Sequence, residues 1–220
     1  MKMFRDRSHA GVVLARSLAA YAGRPDVVVL GLARGGVVVA SAVAAALRVP
    51  LEVFLVRKLG VPGREELAMG AIASGGVRVL NRDVVRLLGI TDDAIEAVAQ
   101  REQQELERRE DLYRGQRPSV DLRGKTVVLV DDGLATGASM RAAVTAVKAR
   151  EPSRVVVAVP TAAPEACAEI GHLVDEIVCT ATPDPFGGVG AWYEDFSQTS
   201  DDEVRRLLNE ASATPRRGGS

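Results

Sequence analysis

The stretch VVLVDDGLATGASM, Val127 to Met140, decides the fold. Its opening VVLV, four apolar residues with no polar alternation, reads as a strand buried on both faces. Asp131 and Asp132 end that strand, and a loop of small residues then leads into a helix expected over about Gly137 to Ala149. Two like charges at the end of a buried strand are costly to desolvate unless something binds them. A ligand is therefore expected at this point of the chain.

Outward from that stretch the chain alternates. VVVLG (Val27 to Gly31) is another buried strand, LARGG a loop, and VVVASAVAAAL a helix favoured by its alanines. A leading helix precedes them, with Val12, Val13, Leu14, Leu18 and Ala19 near helical spacing and Asp6 or Ser8 as its N-cap. LEVFLV (Leu51 to Val56) is a further buried strand, and RKLGVPGREELAMG after it reads as a long polar loop punctuated by Gly and Pro. Ala71 to Ala73 and Val77 to Leu80 flank Ser74-Gly75-Gly76 as a hairpin. Thr91 to Tyr113 is a long, largely solvated helix with a thin apolar stripe.

Downstream, RVVVAVP, a helix near Pro164 to Ile170 and EIVCT complete the pattern. Strands separated by helices predict an α/β fold with a mostly parallel sheet, which binds ligands at the carboxyl ends of its strands. One domain is expected over residues 1–211, with a disordered tail over 212–220.

A formal net charge of -1, with both signs interleaved, supplies no field to recruit nucleic acid or an anionic membrane. No run approaches the roughly 20 apolar residues of a membrane span, and the N-terminus lacks the apolar core of a signal peptide. Cys167 and Cys179 lie in apolar settings without C-x-x-C spacing, so reduced buried thiols and a cytoplasmic protein are expected. His9 and His172 are read as structural or exposed. The leading helix and the long charged helix are the candidate surfaces for a homodimer.

The chemistry of the loop narrows the ligand. Ala135, Thr136, Gly137, Ala138 and Ser139 let backbone N–H groups and two hydroxyls approach an anion at a helix N-terminus. Carboxylates beside a phosphate would repel it, so Asp131 and Asp132 are expected to accept hydrogen bonds from sugar hydroxyls instead. Phosphate with vicinal hydroxyls describes a ribose 5-phosphate group. The loop lacks the lysine of a Walker A sequence, and GLARGG lacks G-x-G-x-x-G spacing.

At these residues the sequence resembles a family. VVLVDDGLATGAS is similar to the phosphoribosyl pyrophosphate (PRPP) signature of type I phosphoribosyltransferases, and the resemblance runs from Phe4 to about Leu208. It implies the type I phosphoribosyltransferase fold, with a small hood at about 180–200, a mobile loop, and the charged helix of about 91–113 as an insertion. It also implies roles. Asp131 and Asp132 hold the ribose 2- and 3-hydroxyls, and 135–139 cradle the 5-phosphate. Ala33, Arg34, Gly35 and Gly36 form the pyrophosphate loop, for which a cis non-proline peptide before Arg34 is expected. Arg57 and Lys58 meet pyrophosphate, and Leu59 to Gly70 is the mobile loop.

The implied reaction displaces pyrophosphate from C1 of PRPP by a nitrogen nucleophile, with Mg2+ held by Asp131 and Asp132 through water or substrate. The aromatic, Gly-rich PFGGVGAWYEDFSQ (Pro185 to Gln198) resembles the hood of 6-oxopurine enzymes. Phe186 or Trp192 is a candidate to stack on a base, with Glu194 or Asp195 reading its donors. Ala135, however, matches adenine enzymes, where 6-oxopurine enzymes carry an acid, so the two clues disagree about the base. A nucleobase transferase, purine favoured, is the leading reading. The others are a sensor of PRPP or nucleotide without turnover, a PRPP-synthesising enzyme, for which no ATP motif is visible, and an RNA-linked regulator, which the charge balance disfavours.

Overall fold

The computed structural model describes residues 3–115 and 119–213. Helix α1 (Arg7–Ser17) starts at Asp6, whose carboxylate accepts the His9 N–H at 2.7 Å, so of the two candidate caps it is Asp6 that is used. There follow β1 (Val27–Leu32), α2 (Gly35–Leu47), β2 (Leu51–Phe54), β3 (Val56–Val61), β4 (Arg64–Ala73) and β5 (Val77–Leu80). Next come α3 (Arg82–Leu87), α4 (Asp92–Arg114), β6 (Thr126–Val130), α5 (Ala138–Lys148), β7 (Arg154–Thr161), α6 (Pro164–Gly171), β8 (Glu176–Ala181) and α7 (Asp201–Ala213). Strands β2-β1-β6-β7-β8 form one all-parallel sheet, and β3-β4-β5 form a second, antiparallel one.

The unbroken apolar run of β6 follows from cover on both sides. Val127 and Leu129 point to a core shared with Met140, Val144 and Val147 of α5 and Ile170 of α6. Val128 and Val130 point to a core with Leu14 and Leu18, on and just after α1, and with Val39 and Val43 of α2. All four side chains are fully buried. Removing each from water is worth roughly 1.5–3 kcal/mol, which is why neither face tolerates a polar residue.

Four expectations are corrected. LEVFLV is not one strand: at Leu55 the chain leaves the parallel sheet, because its N–H donates to Ser74 Oγ at 2.9 Å and its carbonyl accepts the Ser74 N–H at 2.8 Å. The segment Leu59 to Gly70 is a paired hairpin rather than an open loop. Pro62 and Gly63 make its turn, with Gly63 at φ 74°, and Leu59, Val61 and Met69 bury against Ile95, Val98, Ala99 and Leu106 of α4. The stripe on α4 is therefore the floor of a second core.

Cys167 and Cys179 are joined as a disulfide rather than reduced; α6 lies over β8 and brings their Cα atoms to 6.8 Å. Finally, residues 212 and 213 end α7, while the rest of the tail expected to be disordered lies outside the described residues. Helix α7 announces itself in sequence as Ser200-x-x-Glu203. The Glu203 N–H donates to Ser200 Oγ at 3.1 Å, and Val204 and Leu208 are buried.

Candidate active site

Strands β1 and β6 are parallel neighbours with Gly31 opposite Val130, so the loops that leave their carboxyl ends meet. Gly35 and Gly36, from the first loop, lie against Asp131 and Asp132 of the second. A Cβ on Gly36 would sit 2.8 Å from both Asp131 Oδ1 and the Val130 carbonyl, and one on Gly35 would sit 2.8 Å from Arg7 Nε. Only glycine permits this approach. The Ala33–Arg34 peptide is cis, as the resemblance leads one to expect.

Gly36→Ala is therefore expected to push the two loops apart, costing about 1–3 kcal/mol of stability and at least about tenfold in any turnover that needs both loops. Urea unfolding and steady-state rates check this; an alanine variant of unchanged stability would contradict the packing.

The two aspartates differ in surroundings. Asp131 Oδ1 accepts the Asp132 N–H at 2.8 Å. Burial first, and then the negative charge of Asp132, push the Asp131 carboxyl well above the ordinary range, against the pull of that hydrogen bond and of Arg7. Asp132 Oδ2 is held at 2.7 Å by Arg7 Nε, both side chains being largely enclosed. The Asp132 carbonyl accepts the Tyr193 hydroxyl at 2.6 Å. Tyr193 is fully buried, and desolvation with the nearby aspartates raises its pKa. Sequence reasoning found neither Arg7 nor Tyr193 as a partner of the acidic pair.

Beside the acids, Leu134 anchors the small-residue loop to the end of β7: its N–H donates to Thr161 O at 3.0 Å and its carbonyl accepts from Ala163 at 2.8 Å. Ala135, Thr136, Ala138 and Ser139 are exposed, and Gly137, at φ 70°, forms the N-cap of α5. Open backbone at a helix N-terminus suits an anion.

The basic residues are placed differently. Arg34 pairs with Asp201 of α7 at 3.7 Å, and Asp201 also accepts the Tyr113 hydroxyl of α4 at 2.5 Å. Burial and Asp201 push the Tyr113 pKa up to about 12. Arg57 lies within β3, not at a strand end, and binds Glu102 of α4 through Nη2 at 2.6 Å and Nε at 2.9 Å. Lys58 pairs with Glu66 at 3.6 Å across the hairpin. Both basic side chains thus have acidic partners outside the loops.

The aromatic segment folds back on the N-terminus. Met3 and Phe4 donate their N–H groups to the Trp192 carbonyl at 3.1 and 3.0 Å, and the Glu194 and Asp195 N–H groups donate to Phe4 and Arg5 carbonyls at 2.8 Å. Trp192 Nε1 donates to the Phe186 carbonyl at 2.9 Å, and both residues are half-buried. Asp195 Oδ1 accepts the Ser197 N–H at 2.9 Å, which lowers its pKa. Gly133 brings the segment to the acids, since a Cβ there would sit 2.6 Å from Val189.

The site's residues suit a magnesium ion that takes most of its ligands from elsewhere. Asp131 and Asp132 offer hard oxygens, and a cation beside them would offset the cost of desolvating the Asp131 carboxylate. Among the described residues there is no group of three or more acidic, histidine or cysteine side chains to complete a protein cage.

Among the described residues no helix is long and apolar enough to cross a membrane. A family profile described as "Phosphoribosyl transferase domain" matches residues 10–191. A Mycobacterium tuberculosis protein whose name carries phosphoribosyl transferase as a provisional assignment is 49% identical over 211 residues, which is 96% of this chain and 47% of that protein. The chain thus spans about half the length of the curated relatives it matches. The crystal structure of a Thermus thermophilus protein, TT1426, is 47% identical, with TM-score 0.83 over 94% of this chain and 98% of that one.

Proposed function

This chain belongs to the phosphoribosyl transferase domain family, and from that premise we propose that it transfers the 5-phosphoribosyl group of PRPP to a nitrogen of a nucleobase, purine favoured, releasing pyrophosphate. The observation that carries the reading is the closure of Gly35-Gly36 onto Asp131-Asp132, with the N-terminus of α5, exposed at Ala138 and Ser139, following on the same loop. One loop suits pyrophosphate, the acids suit vicinal hydroxyls, and the helix end suits a 5-phosphate.

In this reading Asp131 and Asp132 accept from the ribose hydroxyls and orient C1. Arg34, with backbone N–H groups of 35 and 36, meets the departing pyrophosphate, where negative charge develops. Arg57 and Lys58 join it by exchanging Glu102 and Glu66 for phosphate oxygens, an exchange open to side chains that are partly exposed. When bound, Mg2+ supplies charge neutralisation to the leaving group, held by Asp131 and Asp132 through water or substrate. The 182–200 segment covers the base, with Phe186 and Trp192 as its apolar surface and Asp195 or Glu194 as acceptors. A cytoplasmic location belongs to the same proposal, because so highly charged a substrate does not cross a bilayer unaided.

The test is pyrophosphate release from PRPP and Mg2+ with adenine, guanine, hypoxanthine, xanthine, uracil, orotate and simple amines, beside a PRPP-binding titration. Release that depends on one acceptor is expected. Tight binding without release across the panel would overturn transfer in favour of sensing, for which the acid-paired state of Arg57 and Lys58 is the favouring observation.

A further inference from the structure

Arg7 is the first residue of α1, yet its side chain is only 11% exposed. A guanidinium so enclosed needs partners on every side, and it has three. Nε donates to Asp132 Oδ2 at 2.7 Å, Nη1 donates to the Ser197 carbonyl at 2.7 Å, and Cζ lies 3.9 Å from the centroid of the Phe196 ring. The Phe196 ring is 5.0 Å from that of Tyr193, whose hydroxyl donates to the Asp132 carbonyl at 2.6 Å. The contacts close a circuit: from the Asp132 side chain through Arg7 to Phe196, on to Tyr193, and back to the Asp132 backbone.

We propose that Arg7 is a positioning residue that ties the orientation of the Asp132 carboxylate to the seating of residues 193–197 over the site; the proposal rests on the phosphoribosyl-transfer reading. With Oδ2 held by Arg7, the rotation of the carboxylate is set and Oδ1 is the freer oxygen to accept from a sugar hydroxyl, so the carboxylate is aimed before substrate arrives. Movement of the 193–197 segment pulls on the same guanidinium, so the ribose contact and the cover over the base respond together. Arginine suits this task and lysine does not. Its planar fork reaches two acceptors at once while its face stacks on a ring; an ammonium offers a point charge and no such face.

Arg7→Lys separates positioning from charge balance. Asp6, not Arg7, caps α1, so the helix start is unaffected by the change. Trp192, the chain's one tryptophan, sits in the covering segment and gives a signal that needs no substrate. The lysine variant is expected to fold, to raise KM for PRPP about tenfold while kcat changes less, as loss of a charge-assisted hydrogen bond predicts, and to alter Trp192 emission and its quenching by acrylamide. Arg7→Ala is expected to exaggerate both effects.

A lysine variant with wild-type KM and wild-type Trp192 signal would overturn the proposal and leave Arg7 as charge balance alone. If wild-type protein neither binds nor turns over PRPP, the transfer reading fails on its own. The coupling is then decided by the Trp192 signal of Arg7→Lys without substrate, where an unchanged spectrum overturns it.

Discussion

Asp131→Asn is expected to lower kcat/KM for pyrophosphate release by about 100- to 1000-fold, the scale of losing a charged contact made to the reacting sugar, and to make the free protein more stable at neutral pH. Both effects come from one carboxyl. Burial and the neighbouring charge of Asp132 raise the folded-state pKa of Asp131. The folded protein therefore binds this proton more tightly than the unfolded chain does. The stability contributed by that proton is complete below the unfolded value of about 3.9 and is lost as pH rises through the folded one. Asparagine keeps an oxygen for the Asp132 N–H at 2.8 Å but has no charge to desolvate.

The gap in thermal midpoint between variant and wild type should thus open as pH rises above about 4 and close again in acid. Thermal melts at several pH values, run beside the release assay, test the pair of claims. An asparagine variant with wild-type turnover would remove Asp131 from the site. One destabilised at pH 7 would show that the charge is already compensated by the protein.

The parallel sheet was legible because the strands at its centre, β1, β6 and β7, are covered on both faces, and such strands print as short β-branched apolar runs bounded by turn residues. The hairpin of β3 and β4 was not legible. Its strands carry the charged residues Arg57, Lys58, Arg64, Glu65 and Glu66, and Gly60, Pro62 and Gly63 look like loop punctuation unless the apolar stripe of α4 is known to lie beneath. Local reading found the stripe on the helix and took the strands that rest on it for a loop.

The site divides along the same line. Asp131, Asp132 and 135–139 are contiguous, so their spacing carried the information. Arg7 is 125 positions from Asp132, and Glu102 is 45 from Arg57; such partnerships exist only after folding. Placement of Cys167 opposite Cys179 is of that kind too. Asp201, by contrast, follows the readable cap Ser200-x-x-Glu203, so the helix that brings it to Arg34 had a local signal.

Arg34→Ala is expected to reduce kcat for pyrophosphate release by about 100- to 1000-fold while changing the affinity for a nucleoside 5-monophosphate only about threefold. Leaving-group charge grows in the transition state and is absent from the monophosphate product, so a residue facing that charge is felt in turnover rather than in product binding. The ion pair of Arg34 with Asp201, at 3.7 Å and partly exposed, is weak enough to yield to a polyanion.

Tyr113→Phe provides the contrast. It keeps the ring, which is 2% exposed, and removes the hydroxyl that shares Asp201 with Arg34. If Asp201 merely parks the guanidinium until substrate arrives, this variant changes kcat no more than about threefold. If Asp201 must hold Arg34 during the reaction, Tyr113→Phe loosens that hold and loses turnover alongside Arg34→Ala. Single-turnover release and monophosphate titration on the two variants distinguish these cases. Equal kcat in Arg34→Ala and wild type would mean that the 33–36 loop meets pyrophosphate with its backbone alone.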